Sequence, residues 1–127
     1  MEFIRIKSKD DYYWKDLMKI YRKSFPLYEQ RNAMNQLEVL NYYCTAICEN
    51  KNLIGLLFYW NIDKYIYIEH LAISPKLRGK SYGSKIIKEF CKKFSQNMNQ
   101  AYLISQKDAG KEEHLLLKPF YLLPFLV

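Results

Sequence analysis

Cysteine is scarce in this chain of 127 residues, and the three present, Cys44, Cys48 and Cys91, form an odd set with no metal-type spacing. That excludes a disulfide framework and a structural metal site, and predicts reduced, packed thiols in a cytoplasmic protein. Long apolar runs are also missing. The longest candidate, residues 115–127, is broken by Lys118, Pro119 and Pro124, so no stretch suits a bilayer. The N-terminus, MEFIRIKSKDD, is charged early and lacks the apolar centre of a signal peptide. Glycine and proline number four each, and no repeat, low-complexity stretch or interdomain linker is found. These absences leave one domain, 1–127, with a single core.

Half of the residues are hydrophobic and 17% are aromatic, which excludes a disordered chain. Twelve tyrosines suit a sheet with packed faces and polar rims. Residues 2–7 alternate and predict a first strand. Asp10 or Asp11 can cap a helix carrying Trp14, Leu17, Met18 and Tyr21 at helical spacing. Phe25-Pro26 ends it. A second short helix is predicted from Glu29 to about Leu40, with Met34 and Leu37 inward. Residues 43–48 and 53–60 read as strands joined by a hairpin turn at Glu49-Asn50-Lys51-Asn52. The second of these is almost wholly apolar and should be central.

Acidic residues are the minority, 13 against 20 basic ones, giving a formal charge of +7. Most of the excess falls between Lys76 and Lys93, where seven basic residues face Glu89 alone. A solvated helix face explains Lys88, Lys92 and Lys93. Attraction of a polyanionic ligand is the functional reading. Nucleic acid is not expected, because no recognised binding module accompanies the charge.

Residues 65–94, YIYIEHLAISPKLRGKSYGSKIIKEFCKKF, read as strand, basic turn and helix. The strand, 65–73, is β-branched, aromatic and mostly apolar, and Pro75 stops it. Tyr82, Ile86, Ile87, Phe90, Cys91, Phe94 and Met98 form one apolar helical stripe. Gly79 and Gly83 bracket the turn that opens this helix. Free N–H groups and the helix dipole favour an anion there, glycine permits close approach, and Arg78 and Lys80 add positive charge. A phosphorylated ligand is therefore expected at the strand–helix junction.

His70 to Ile87, HLAISPKLRGKSYGSKII, resembles the acetyl-CoA-binding motif of the GNAT N-acetyltransferase superfamily. The motif proper is Arg78-Gly79-Lys80-Ser81-Tyr82-Gly83, with Ser81 where the family usually has its first glycine. The resemblance implies an α/β (α+β) GNAT fold, a mixed central sheet flanked by helices, matched over 1–106. It also implies an acyltransferase moving an acetyl group from acetyl-CoA to a primary amine, with no metal. By that resemblance Leu71, Ala72 and Ile73 pair with the pantetheine arm. Arg78, Gly79, Lys80, Ser81, Tyr82, Gly83 and Ser84 cradle the pyrophosphate.

Deprotonation of the acceptor needs a base. Glu69, in an otherwise apolar strand just ahead of the cofactor stretch, is the candidate, and burial would raise its pKa. The alternative is a strand glutamate that faces solvent or binds substrate. His70 points to the opposite face in a regular strand, and a bulge here would change that parity. It reads as packed or hydrogen-bonded rather than catalytic. Tyr121 is a weaker candidate, as the acid for the leaving thiolate. Phe25, Tyr28, Glu29, Gln30 and Arg31, in the first two helices and their loop, are candidate acceptor contacts, and Glu29 could attract an amine. The acceptor is a small amine or a peptide or protein amine.

Residues 101–105 can supply a fifth strand. The tail, 107–127, is atypical or abbreviated, with Phe120-Tyr121 faintly echoing a family pair. An unpaired edge there would invite association, so a homodimer through the C-terminal region is expected. The competing reading is a catalytically incomplete GNAT-fold protein that binds coenzyme A or serves an interaction. Ser81 and the tail motivate it.

Overall fold

The structure, a computed structural model, describes residues 1–31, 36–63 and 65–94, and the backbone of 102–103, 115–116 and 120–122. Its centre is β3 (Asn52–Ile62), flanked by β2 (Tyr42–Glu49) and β4 (Tyr65–Ile73), with β1 (Glu2–Arg5) outside β2. These four strands are antiparallel, and β7 (Phe120–Leu122) adds a parallel neighbour to β4. The sheet is therefore mixed, as the sequence implies, and the apolar 53–60 run is central.

The β2–β3 hairpin closes where Glu49 pairs with Asn52. Asn50 and Lys51 both take positive φ, 52° and 67°. Two such residues match the right-handed twist of the strands they join.

Each face of the sheet is covered by one helix. Helix α1 (Trp14–Ser24) buries Leu17, Met18, Ile20 and Tyr21 against Tyr42, Cys44, Ala46, Leu56, Phe58 and Ala72. Helix α2 (Tyr82–Phe94) buries Ile86, Ile87, Phe90 and Cys91 against Ile47, Ile54, Leu57, Ile66 and Ile68. The three thiols are buried in these two layers. Burial pushes Cys44 up to about 12 and Cys91 up to about 11, so both stay protonated packing groups. Asp11 accepts from the Tyr13 N–H at 2.9 Å, one turn ahead of α1, and the helix ends at Phe25 as Pro26 requires.

One expectation needs correction. Over the described part of residues 29–40 the predicted helix gives way to short 3₁₀ turns, Leu27–Glu29 and Gln36–Glu38. Gln30 is extended (φ −83°, ψ 141°) with its side-chain amide turned back to the Phe25 carbonyl, which breaks a helix at its second residue. Leu37 still packs on the α1 layer; Met34 lies outside the described residues. The fifth strand expected at 101–105 is present as β5 (Tyr102–Leu103), the rest of that range lying outside the described residues, and it pairs with β6 (Leu115–Leu116). The position beside β4 goes to β7, whose Phe-Tyr-Leu sequence is the apolar run that a strand beside a buried neighbour requires. The proposed dimer contact at 115–127 falls mostly outside the described residues. Among the described residues, no helix is long and apolar enough to cross a membrane.

Candidate functional site

A bulge in β4 positions the site. Phe58 pairs with His70 and Tyr59 with Ile68, so Glu69 has no partner in β3. The extra residue shifts the side-chain alternation by one. Before it, Ile66 and Ile68 face α2; after it, Leu71 and Ile73 do, while Ala72 joins the α1 layer. Glu69 and His70 consequently share the α1 face, and the His70 Nδ1 lies 3.8 Å from the Glu69 Oε1.

The loop after α1 closes over this pair. The Gln30 amide donates to the Phe25 carbonyl at 2.6 Å, and the Tyr21 hydroxyl accepts from the Arg31 N–H at 2.8 Å. The His70 Nε2 meets the Glu29 carbonyl at 3.1 Å. A carbonyl only accepts, so Nε2 carries the proton and Nδ1 keeps a lone pair. Burial among Tyr21, Phe25 and Phe58 holds the imidazole pKa below its usual value, and His70 is therefore neutral. Held this way, Arg31 donates from Nε and Nη2 to the two oxygens of Glu69, each at 2.6 Å. The guanidinium also stands over the cross-strand rings of Trp60 and Tyr42, 4.9 and 5.0 Å from their centroids. Burial and the neighbouring Glu69 carboxylate push the Tyr42 hydroxyl pKa up.

Sequence reasoning passed over Tyr42 and Trp60, and offered Arg31 only as one of the exposed acceptor contacts after the first helix, with no link to Glu69. Nothing in the spacing joins position 31 to position 69; the loop geometry does. Tyr28 is 87% exposed and Glu29 contributes its backbone, so neither side chain reaches this pair in the structure. The backbone of Tyr121 pairs with Tyr67, two residues before Glu69, and its side chain lies outside the described residues.

The described part of β7 pairs with β4 as far as Ile68. Among the described residues, Leu71, Ala72 and Ile73 therefore have an outer edge that no strand covers. The chain then turns at Pro75–Leu77 into the motif. Gly79 and Ser81 both take positive φ, 79° and 64°. This explains the family's glycine at the latter position, since an L side chain costs energy there. Lys85 N–H to the Ser81 carbonyl is the first bond of α2, so the amides just before Lys85 have no intrahelical acceptor. A Cβ on Gly83 would meet nothing within 4 Å. The fold itself does not demand glycine at 83. Arg78 does not face this space alone: its guanidinium donates to the Ile73 carbonyl at 3.0 Å and to Ser24 Oγ at 2.9 Å. It ties the motif turn to the end of α1. Lys85 pairs with Glu49 at 3.2 Å, while Lys80 is exposed beside the turn. A separate cleft of about 430 Å³, lined by Phe3, Glu89, Lys92 and Lys93 among others, includes no motif residue.

The acetyltransferase (GNAT) family model matches residues 12–117. No curated protein matches the sequence. Among solved structures, a protein of Bacteroides thetaiotaomicron assigned to the GNAT acetyltransferases is 28% identical, with a TM-score of 0.67. The match covers 72% of this chain and 55% of that one, so the chain spans little more than half of that relative's length. An aminoglycoside acetyltransferase from an uncultured soil metagenomic sample, solved with sisomicin, is 16% identical with a TM-score of 0.55, over 75% of this chain and 70% of its own. An aminoglycoside 6'-N-acetyltransferase complexed with coenzyme A is 14% identical, also at 0.55, over 75% and 56%. At such identity the last two speak for the fold alone. The motif turn, the strand that leads into it and the family match over residues 12–117 lead to one conclusion: the chain belongs to the GNAT acetyltransferase family.

Proposed function

We propose that this protein transfers an acetyl group from acetyl-CoA to the primary amine of a small acceptor. The observation that carries the reading is continuity. The stretch of β4 at Leu71–Ile73, which no strand covers among the described residues, runs through a turn of two positive-φ residues into the open first turn of α2. Gly79 to Ser84 offer N–H groups and the helix dipole to the pyrophosphate, with Lys80 adding charge. Acetyl-CoA supplies the activated acetyl group as a thioester. Leu71, Ala72 and Ile73 offer backbone groups along the arm that carries it, and hold the reacting carbonyl beside the acceptor.

Glu69 sits one residue ahead of that backbone stretch, on the face that carries Arg31 and His70. In this reading it binds the acceptor ammonium and takes its proton. It can do so once Arg31 releases at least one carboxylate oxygen. The amine nitrogen then gains the acetyl carbon, the carbon–sulfur bond breaks, and the thiolate leaves to pick up a proton. Thiol release from acetyl-CoA across a panel of amines tests the reading. Acetyl-CoA binding without amine-dependent thiol release would select the catalytically incomplete alternative instead.

A further inference from the structure

The ion pair at the centre of the site is ordered by depth. The Glu69 side chain is 14% exposed and the Arg31 side chain 34%. The carboxylate is the inner member and the guanidinium the outer one. Only two of the five guanidinium N–H groups are on Glu69. Among the described residues, two buried polar atoms beside the pair have no hydrogen-bond partner: Trp60 Nε1, in a ring under Arg31, and His70 Nδ1 next to Glu69. His70 is 2% exposed. Buried polar atoms are normally satisfied, so this set points to a polar ligand.

The charges say which kind. An amine bearing no anion that displaces Arg31 from Glu69 leaves the guanidinium without its counter-charge. An amine with a carboxylate close by leaves neither group unpaired. Its ammonium replaces Arg31 on Glu69, and its carboxylate replaces Glu69 on the planar fork of Arg31. The Arg31–Glu69 pair sums to zero charge and His70 is neutral, so a zwitterion matches the site and a polycation is not drawn to it. We propose that Arg31 and Glu69 form a binding site for a free amino acid, and that this zwitterion is the acetyl acceptor. A peptide or protein N-terminus has no carboxylate beside its amine and does not satisfy the exchange. The proposal rests on the transferase reading above. One C–N bond forms for one C–S bond broken, giving an N-acetylamino acid and free coenzyme A.

The test compares each of the twenty amino acids with its own methyl ester, by thiol release from acetyl-CoA. The ester keeps the amine and loses the anion. At least one acid should exceed its ester by tenfold or more in kcat/KM, and Arg31→Met should lose that preference. Equal rates for acid and ester, or turnover of polyamines, aminoglycosides or peptides only, would overturn the amino-acid site and leave the transferase reading standing. A second readout needs no turnover. In a Trp14→Phe background with coenzyme A present, Trp60 emission is titrated with the same acids and esters. A saturable change with an acid, absent with its ester and absent in Arg31→Met, is expected. If no amine is ever acetylated, the transferase reading fails and the titration alone decides: the same saturable change keeps the binding site, and a flat titration overturns it. A retained thermal shift with acetyl-CoA shows that Arg31→Met is folded.

Discussion

Gly55 on β3 lies so close to β4 that a Cβ built on it would stand 2.5 Å from the carbonyl oxygen of Ala72. Ala72 belongs to the stretch proposed to carry the arm of the cofactor. The obstructing atom is backbone, so it cannot swing aside. Gly55→Ala should therefore push β4 outward and cost about 1–3 kcal/mol of stability, as overpacking does. Denaturant melts measure this directly. A variant as stable as wild type would show that the two strands are not held this closely.

Ser81 is a second backbone constraint, of the opposite sense. It adopts φ 64°, where a side chain costs roughly 1–2 kcal/mol and glycine costs little. Glycine's greater unfolded-state entropy offsets about 0.4–1 kcal/mol of that. Ser81→Gly should thus be neutral to stabilising, by up to about 1 kcal/mol, with acetyl-CoA binding kept or tightened. Strongly weakened binding would mean that the hydroxyl itself touches phosphate.

His70 makes stability depend on pH. Burial lowers its folded pKa below the ordinary 6.5. As pH falls through 6.5 the unfolded chain takes up a proton that the folded chain refuses, so stability declines with acidification until the folded group titrates too. The slope from this one group reaches at most about 1.4 kcal/mol per pH unit. Urea melts between pH 5 and 7 should show a steeper decline for wild type than for His70→Gln. Parallel lines would mean that the imidazole is not buried neutral.

Much of this was legible in the sequence. The limits of β4, 65–73, follow from a β-branched, aromatic and mostly apolar run closed by Ser-Pro. The α2 stripe follows from its spacing. What stayed hidden was non-local. Whether Glu69 shares a face with His70 depends on one bulge residue opposite Phe58 and Tyr59. The Arg31 contact depends on a loop held by Gln30, Tyr21 and His70, none of which has a periodic signature. The helix predicted from Glu29 failed because Gln30 leaves the helical region and turns its side chain back to the Phe25 carbonyl. The fifth strand is where 101–105 placed it, but its partner β6 and the neighbour that β4 takes, β7, depend on pairing that no local run shows.

Glu69→Gln keeps the shape of the side chain and removes its charge and basicity. Acetyl-CoA binding should survive the change, since Glu69 lies ahead of the cofactor stretch. The acetylation rate should fall on the order of a hundredfold or more at neutral pH, and the deficit should shrink at high pH, where free amine is abundant. A pH–rate profile of both proteins, with any accepted amine, reads this. Overlaid profiles would assign Glu69 to structure only.

The phosphate cradle is the claim on which the rest stands, and calorimetric titration of acetyl-CoA into wild type and Gly83→Asp tests it most directly. Gly83 lies in the first turn of α2 with nothing within 4 Å of its absent Cβ. An aspartate there is compatible with the helix dipole, so the variant should fold with a melting temperature close to that of wild type. The account predicts saturable binding to wild type and binding at least about a hundredfold weaker to the variant, where bulk and negative charge replace the space for phosphate. Equal binding by the two proteins, or none by wild type, would contradict it.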